Sequence, residues 1–274
     1  MTLPVLLRKK WVLAGSALLL CVIGFFLLVR PSHDRDWELG QERLPRFVRD
    51  GDTLRVENFR NFPWTGEMES IVRYETRSFD LASVQTLDVF ISHFDDFEGL
   101  AHIFLSFGFS DGEYLVVSLE SRREVGEEFS PILGLFRQYE IIYVVGSEED
   151  LVGARVGVRN ERVYRYPTVA TPDQARALLL RFGEDINSVY EEPRFYHTLL
   201  HNCTNELTRR VEEMSQVDFP LSWKSVLPGY FDEVLYEMGL IQKVGSFADT
   251  KVTRFINSAT INPRSAHFSR DLRQ

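Results

Sequence analysis

The chain has 274 residues, enough for one large domain or two small ones, and is 44% hydrophobic and 13% aromatic, which suits a packed globular core rather than a disordered chain. Its formal net charge is −9; residues 1–30 carry four basic and no acidic side chains, which leaves 27 basic against 40 acidic, or −13, for the remainder. So acidic a body lacks the clustered Lys and Arg that nucleic-acid binding needs, so no nucleic-acid partner is expected.

At the N-terminus Arg8, Lys9 and Lys10 precede nineteen residues without a charge, Trp11 to Val29. At about 1.5 Å rise per residue that run spans a bilayer core. The basic residues before it belong on the cytoplasmic side. The expected arrangement is a single-pass inner-membrane anchor over 1–30, with Trp11 at the interface and the main domain in the periplasm of a Gram-negative cell. A cleaved signal peptide is the competing reading, but its apolar stretch is shorter and ends at a small-x-small site. Here the run continues into "RPSHDRDW" with no such site. Cys21 is then membrane-buried, so Cys203 has no partner for a disulfide inside the domain.

Residues 31–54 are charged and read as a tether, with room for a short helix. "DTLRVENFRNF" and "SIVRYETRSFDL" have strand-like composition. "LASVQTLDVFISHF" spaces Leu81, Val84, Leu87 and Ile91 at helical intervals and is expected to be a helix. Next, two apolar runs flank Asp111-Gly112, a strong hairpin signal. Alternation puts His102, Phe104 and Ser106 on one face of the first run, and Tyr114, Val116, Ser118 and Glu120 on one face of the second. A loop of Ser110 to Gly112 sets His102 opposite Glu120; a loop of Asp111-Gly112 alone shifts the pair by one residue. "YEIIYVVG" and "ARVGVRNERVYRYP" read as further strands. "TPDQARALLLRFGEDINSVY" reads as a helix capped by Thr171 with Pro172 in its first turn. Another starts near Asn202 with Leu207, Val211 and Met214 on one stripe, and "SWKSVLPGYFDEVLYEMGLI" is helical around a Pro-Gly turn. The class is α+β: an antiparallel sheet with helices grouped alongside.

Cys203 admits three readings. With Asn202 as N-cap it sits in the first helical turn, where the dipole favours a thiolate. A nucleophile also needs a base and an orienting group, for which His102 and Glu120 are the candidates. The zinc reading uses His197 and His201, four apart, but Thr198 stands where a metalloprotease motif has its glutamate, and a cap at Asn202 leaves both histidines ahead of the helix. The third reading is a small buried residue. His33, His93 and His267 read as surface or tail residues. Arg122–Glu124 reads either as a solvated strand end or as a positioner of an anionic substrate.

"AHIFLSFGFSDGEYLVVSLESRREVGEEF", "YEIIYVVGSEEDLVGARV" and "PRFYHTLLHNCTNEL" resemble the Lnb N-terminal periplasmic domain family, with "ENFRNFPW" and "SVLPGYFDEVLYEMGLI" like its flanking segments. The resemblance covers about residues 55 to 240 and departs where Thr204-Asn205 follows the cysteine in place of the family's Thr-Thr-Asn. It implies a circularly permuted papain-like thiol fold, in which Cys203 matches the family cysteine and His102 its histidine. Glu120 is expected as third member, with Asn202, Thr204, Ser118 and Arg123 as oxyanion or site support, no metal and no cofactor. The implied activity is acyl transfer through a Cys203 thioester, with a membrane lipid as acyl donor and a lipoprotein N-terminus as acceptor. The alternatives are a thiol hydrolase of amides or esters and a non-catalytic envelope lipid- or protein-binding module. Residues 241–274 are expected as an extension packed on the domain.

Overall fold

The computed structural model describes residues 5–64, 71–259, 261, 262, 265 and 267–274. The chain divides into two compact units, Met1–Asp34 and Arg35–Gln274. The first holds one helix, α1 (Val5–Leu28), which takes in Arg8, Lys9 and Lys10 as well as the apolar run. Among the described residues no helix is long and apolar enough to cross a membrane, so the expected transmembrane anchor is not found there. The Cys21 side chain, expected inside the bilayer, lies outside the described residues.

Among the described residues the second unit carries eight strands: β1 (Arg46–Asp50), β2 (Thr53–Arg60), β3 (Tyr74–Asp80), β4 (Val84–His93), β5 (Ala101–Phe109), β6 (Tyr114–Arg122), β7 (Glu140–Gly146) and β8 (Arg162–Pro167). Its helices are α2 (Glu148–Gly153), α3 (Pro172–Glu191), α4 (Cys203–Met214), α5 (Trp223–Val226), α6 (Phe231–Glu237), α7 (Phe247–Arg254) and α8 (Phe268–Asp271). The strands form one sheet in the order β1-β2-β7-β6-β5-β4-β8, with β3 paired to β2. The ladders are antiparallel except where Arg60 of β2 meets Gly146 of β7 in parallel. The class is therefore α+β, as the sequence indicates.

The sheet is buried on both sides. One core joins Ile103, Leu105, Val117 and Leu119 to α3, α4 and α6. The other joins Phe90, Phe104, Val116 and Val144 to α2 and α8. This double burial explains why β4 was expected to be a helix. A central strand covered on both faces shows a continuous apolar run instead of alternation. Leu87, Val89 and Ile91 enter the first core and Phe90 the second, so the helical spacing of Leu81, Val84, Leu87 and Ile91 is incidental.

Three other expectations change. Arg46–Asp50, placed by sequence in the tether, is strand β1, and Trp37 is buried. Ala154–Val158, read as strand, is a π-helical turn continuing α2, and only Arg162–Pro167 is extended. His93, read as a surface residue, is 2% exposed. Helix α3 matches its sequence signals: Thr171 and Gln174 form a capping box, with Pro172 in the first turn. Ile241, Ile256, Phe268 and Leu272 of the C-terminal stretch are buried in the two cores.

Candidate active site

The hairpin sets the first half of the site. Phe104 lies opposite Ser118 and Gly108 opposite Tyr114, and Phe109 N–H bonds Glu113 C=O, the register of the Ser110 to Gly112 loop. His102 and Glu120 therefore share a face with Ser118 between them. His102 Nε2 lies 2.7 Å from Ser118 Oγ, and Ser118 Oγ donates to Glu120 Oε1 at 2.9 Å. His102 Nε2 and Glu120 are 3.9 Å apart, so the serine joins them. The His102 ring also stacks on Phe104 at 5.7 Å.

One residue of this cluster was missed from the sequence. Arg155, from the π-helical turn, donates to Glu120 Oε1 at 2.9 Å and lies over the Phe104 ring at 4.7 Å. Its only sequence trace is a cation in a stretch that reads as strand. Burial, with the Arg155 guanidinium nearby, pushes the His102 imidazole down to about 3. Burial, the largest single effect, would push the Glu120 carboxyl up, but Arg155 together with His102, Arg60 and Arg159 outweighs it and holds Glu120 well below the usual carboxylate range. At neutral pH His102 is thus uncharged and Glu120 ionised. An ionised carboxylate only accepts, so the single Ser118 proton goes to Glu120 and Ser118 Oγ must accept from His102 Nε2–H. That leaves the lone pair on Nδ1.

The second half is the start of α4. Asn202 caps the helix by accepting from Asn205 N–H at 2.8 Å, and its amide donates to Thr198 C=O at 2.6 Å. Cys203 is half-buried in the first turn. Its thiol comes in from the α3/α4 side of the sheet, where the β5–β6 ladder has ended at the Phe104 pair, and receives the Ile103 N–H. Burial pushes the thiol up, and the N–H groups of Ile103, Thr204 and Cys203 with the Thr204 hydroxyl only partly offset it. This corrects the expectation of a resting thiolate: desolvation outweighs the helix terminus. The Thr204 hydroxyl is buried and, among the described residues, has no oxygen or nitrogen partner; its polar contact is the Cys203 sulfur. Beside the thiol lies a small apolar cavity bounded by Leu105, Val117, Leu119, Phe182 and Leu207.

The second half reaches the strand of the first through the backbone, where the Ile103 N–H faces the sulfur. His102 precedes the residue whose N–H faces the sulfur, although its ring keeps to the face of Phe104 and Ser118. Arg123 is not part of this arrangement. Its guanidinium pairs with Glu38 at 2.6 Å and its N–H bonds Gln41. Neighbouring Arg122 is buried over Trp37 at 4.0 Å, so the Arg-Arg-Glu stretch fastens the 35–42 segment to the sheet. His201 is exposed and lies 3.2 Å from Glu206. Among the described residues no three His, Cys, Asp or Glu side chains are placed to hold a metal ion.

The family described as the Lnb N-terminal periplasmic domain matches the chain over residues 71–229. No curated protein and no solved structure matches it.

Proposed function

Since the chain belongs to the Lnb N-terminal periplasmic domain family, we propose that it is a periplasmic acyltransferase acting through a Cys203 thioester, on a papain-like arrangement of helix and sheet. The observation that carries this reading is the placement of Cys203. Its sulfur heads α4 against the N–H of Ile103, the strand residue that follows His102, beside a small, largely apolar cavity.

In this reading His102 Nδ1 takes the thiol proton as the sulfur attacks the carbonyl carbon of an acyl ester. The carbonyl electron pair moves to oxygen, where N–H groups at the start of α4, supported by Asn202 and Thr204, meet the negative charge. The intermediate collapses, the C–O bond breaks, and the leaving alkoxide takes the proton from His102. An amine then attacks the thioester, and the thiol leaves with the proton the amine gives up. A membrane lipid is the acyl donor, a lipoprotein N-terminus the acceptor, and the uncharged run from Trp11 to Val29 the element holding the domain at the bilayer.

The test is intact mass of the full chain incubated in detergent with phospholipid, for wild type, Cys203→Ala and His102→Ala. One acyl chain on Cys203, absent from Cys203→Ala, slowed in His102→Ala and discharged by an added amine peptide, is the expected result. Discharge by water alone makes it a thiol hydrolase. No adduct, with Cys203 alkylated only after denaturation, overturns the catalytic reading in favour of a binding module.

A further inference from the structure

Arg155 occupies the second position of the π-helical turn Ala154–Val158. Such turns insert one residue into a helix and re-aim its side chains, often at functional sites. Here the turn drives a guanidinium under the sheet, where it is 3% exposed. One nitrogen, Nη1, is anchored on Leu151 C=O at 2.7 Å, Nε lies 3.9 Å from Glu161, and Nη2 donates to Glu120. Glu120 thereby reaches Arg155 on one side and, through Ser118, His102 on the other.

We propose that Arg155 is a positioning residue of the Cys203 site: by holding Glu120 ionised, it fixes through Ser118 which nitrogen of His102 carries the proton and which is left for the thiol. The proposal rests on the reading of His102 as the base for Cys203. Its logic is the direction of the hydrogen bonds. With Arg155 in place, protons run from His102 Nε2 to Ser118 and from Ser118 to Glu120, and Nδ1 keeps its lone pair. Without Arg155 the buried Glu120 has two ways to shed its charge. It takes a proton and donates to Ser118, which reverses the chain and moves the imidazole proton to Nδ1. Or it draws a proton onto His102 and forms an imidazolium–carboxylate pair. In both cases Nδ1 bears hydrogen and no longer serves as a base. The charged groups facing His102 are Glu120 from β6 and Arg155 and Arg159 from the π-helical turn and its end. Glu161, just before β8, pairs with both arginines, and Arg60 of β2 acts on Glu120. Removing one arginine therefore shifts the local balance toward the acids.

The test uses the full chain in detergent with 15N-labelled histidine, the His102 signals being identified by their loss in His102→Gln. Ring nitrogen shifts are read at pH 7.5 and 5.5 for wild type, Arg155→Gln, Arg155→Lys and Ser118→Ala, alongside the Cys203 alkylation rate with iodoacetamide. Wild type is expected to show hydrogen on Nε2 at both pH values. Arg155→Gln is expected to show hydrogen on Nδ1 and alkylation about tenfold slower, part of the roughly 10²–10⁴ that a positioned base supplies. Arg155→Lys, which keeps the charge, is expected to restore the Nε2 proton. Ser118→Ala, which breaks the chain without touching its charges, is expected to lose it, and provides the reading if Arg155→Gln does not fold. A hydrogen on Nε2 with Nδ1 left bare in both Arg155→Gln and Ser118→Ala overturns the proposal. A shifted proton, with alkylation indifferent to His102→Gln, leaves Arg155 in control of His102 and overturns the pairing of His102 with Cys203 instead.

Discussion

Replacing His102 with Gln tests whether the imidazole is buried uncharged. In the folded chain burial and Arg155 hold His102 near about 3, against an ordinary value of 6.5. Between these values the unfolded chain binds a proton that the folded chain refuses, so acid favours unfolding. The loss begins as pH falls through about 6.5, grows by at most about 1.4 kcal/mol per pH unit, and ends near about 3. Glutamine does not titrate, yet its amide can still donate to Ser118. At pH 7 the variant loses the ring's stacking on Phe104 and an ideal hydrogen bond, a cost of about 1–3 kcal/mol. By about pH 5 the wild type has lost about 2 kcal/mol through proton linkage that the variant does not lose, so the two stabilities approach or cross there. Glu120 works in the same direction: its contribution is present above the ordinary carboxylate value and fades only at lower pH, in both proteins. Urea unfolding of both full chains in detergent at pH 7, 6, 5 and 4.5 gives the comparison. A stability difference that stays constant with pH would refute the argument, because His102 would then titrate alike folded and unfolded.

Asp150→Asn is expected to be among the most damaging isosteric changes. Asp150 is fully buried and accepts from Arg60 Nε at 2.9 Å and Nη2 at 3.0 Å, from Phe62 N–H and from the Trp64 indole. Leaving Arg60 buried and unpaired costs about 3–5 kcal/mol, and a melting temperature unchanged within a few degrees would refute it. Gly229→Ala places a Cβ 1.7 Å from the Glu98 carbonyl oxygen, a backbone atom that cannot swing aside. The loop at Glu98–Gly99 must shift, at about 1–3 kcal/mol, and an unchanged denaturation midpoint would show that Gly229 is not held by this contact.

What could be read from the sequence follows from how local each signal is. The Asn202 cap, the α3 capping box and the Asp111-Gly112 hairpin depend on residues within a few positions of one another, and all three are in the structure. The hairpin also brought His102, Ser118 and Glu120 onto one face, because β alternation is a period-2 rule that survives any tertiary context. β4 failed because periodicity loses its meaning in a strand covered on both sides. The thiol failed for a related reason. The helix terminus that lowers a cysteine is local and visible, whereas the desolvation that raises it depends on the sheet packed against α4.

Arg155 marks where local reading ends. It reaches Glu120 across 35 positions of chain, from a turn whose extra residue no spacing rule announces. The protonation of the local triad nevertheless depends on it. A hairpin alone would offer His102, Ser118 and Glu120 with the direction of their protons undecided. The buried arginine, with Arg60 and Arg159 behind it, decides it by keeping the last acceptor an anion. That turn in turn follows α2, which Asp150 ties to β2 through Arg60. The site's proton order thus hangs on an ion pair at a distance from the thiol. Asp150→Asn should accordingly slow Cys203 alkylation in whatever fraction of the protein stays folded, and not only lower the stability.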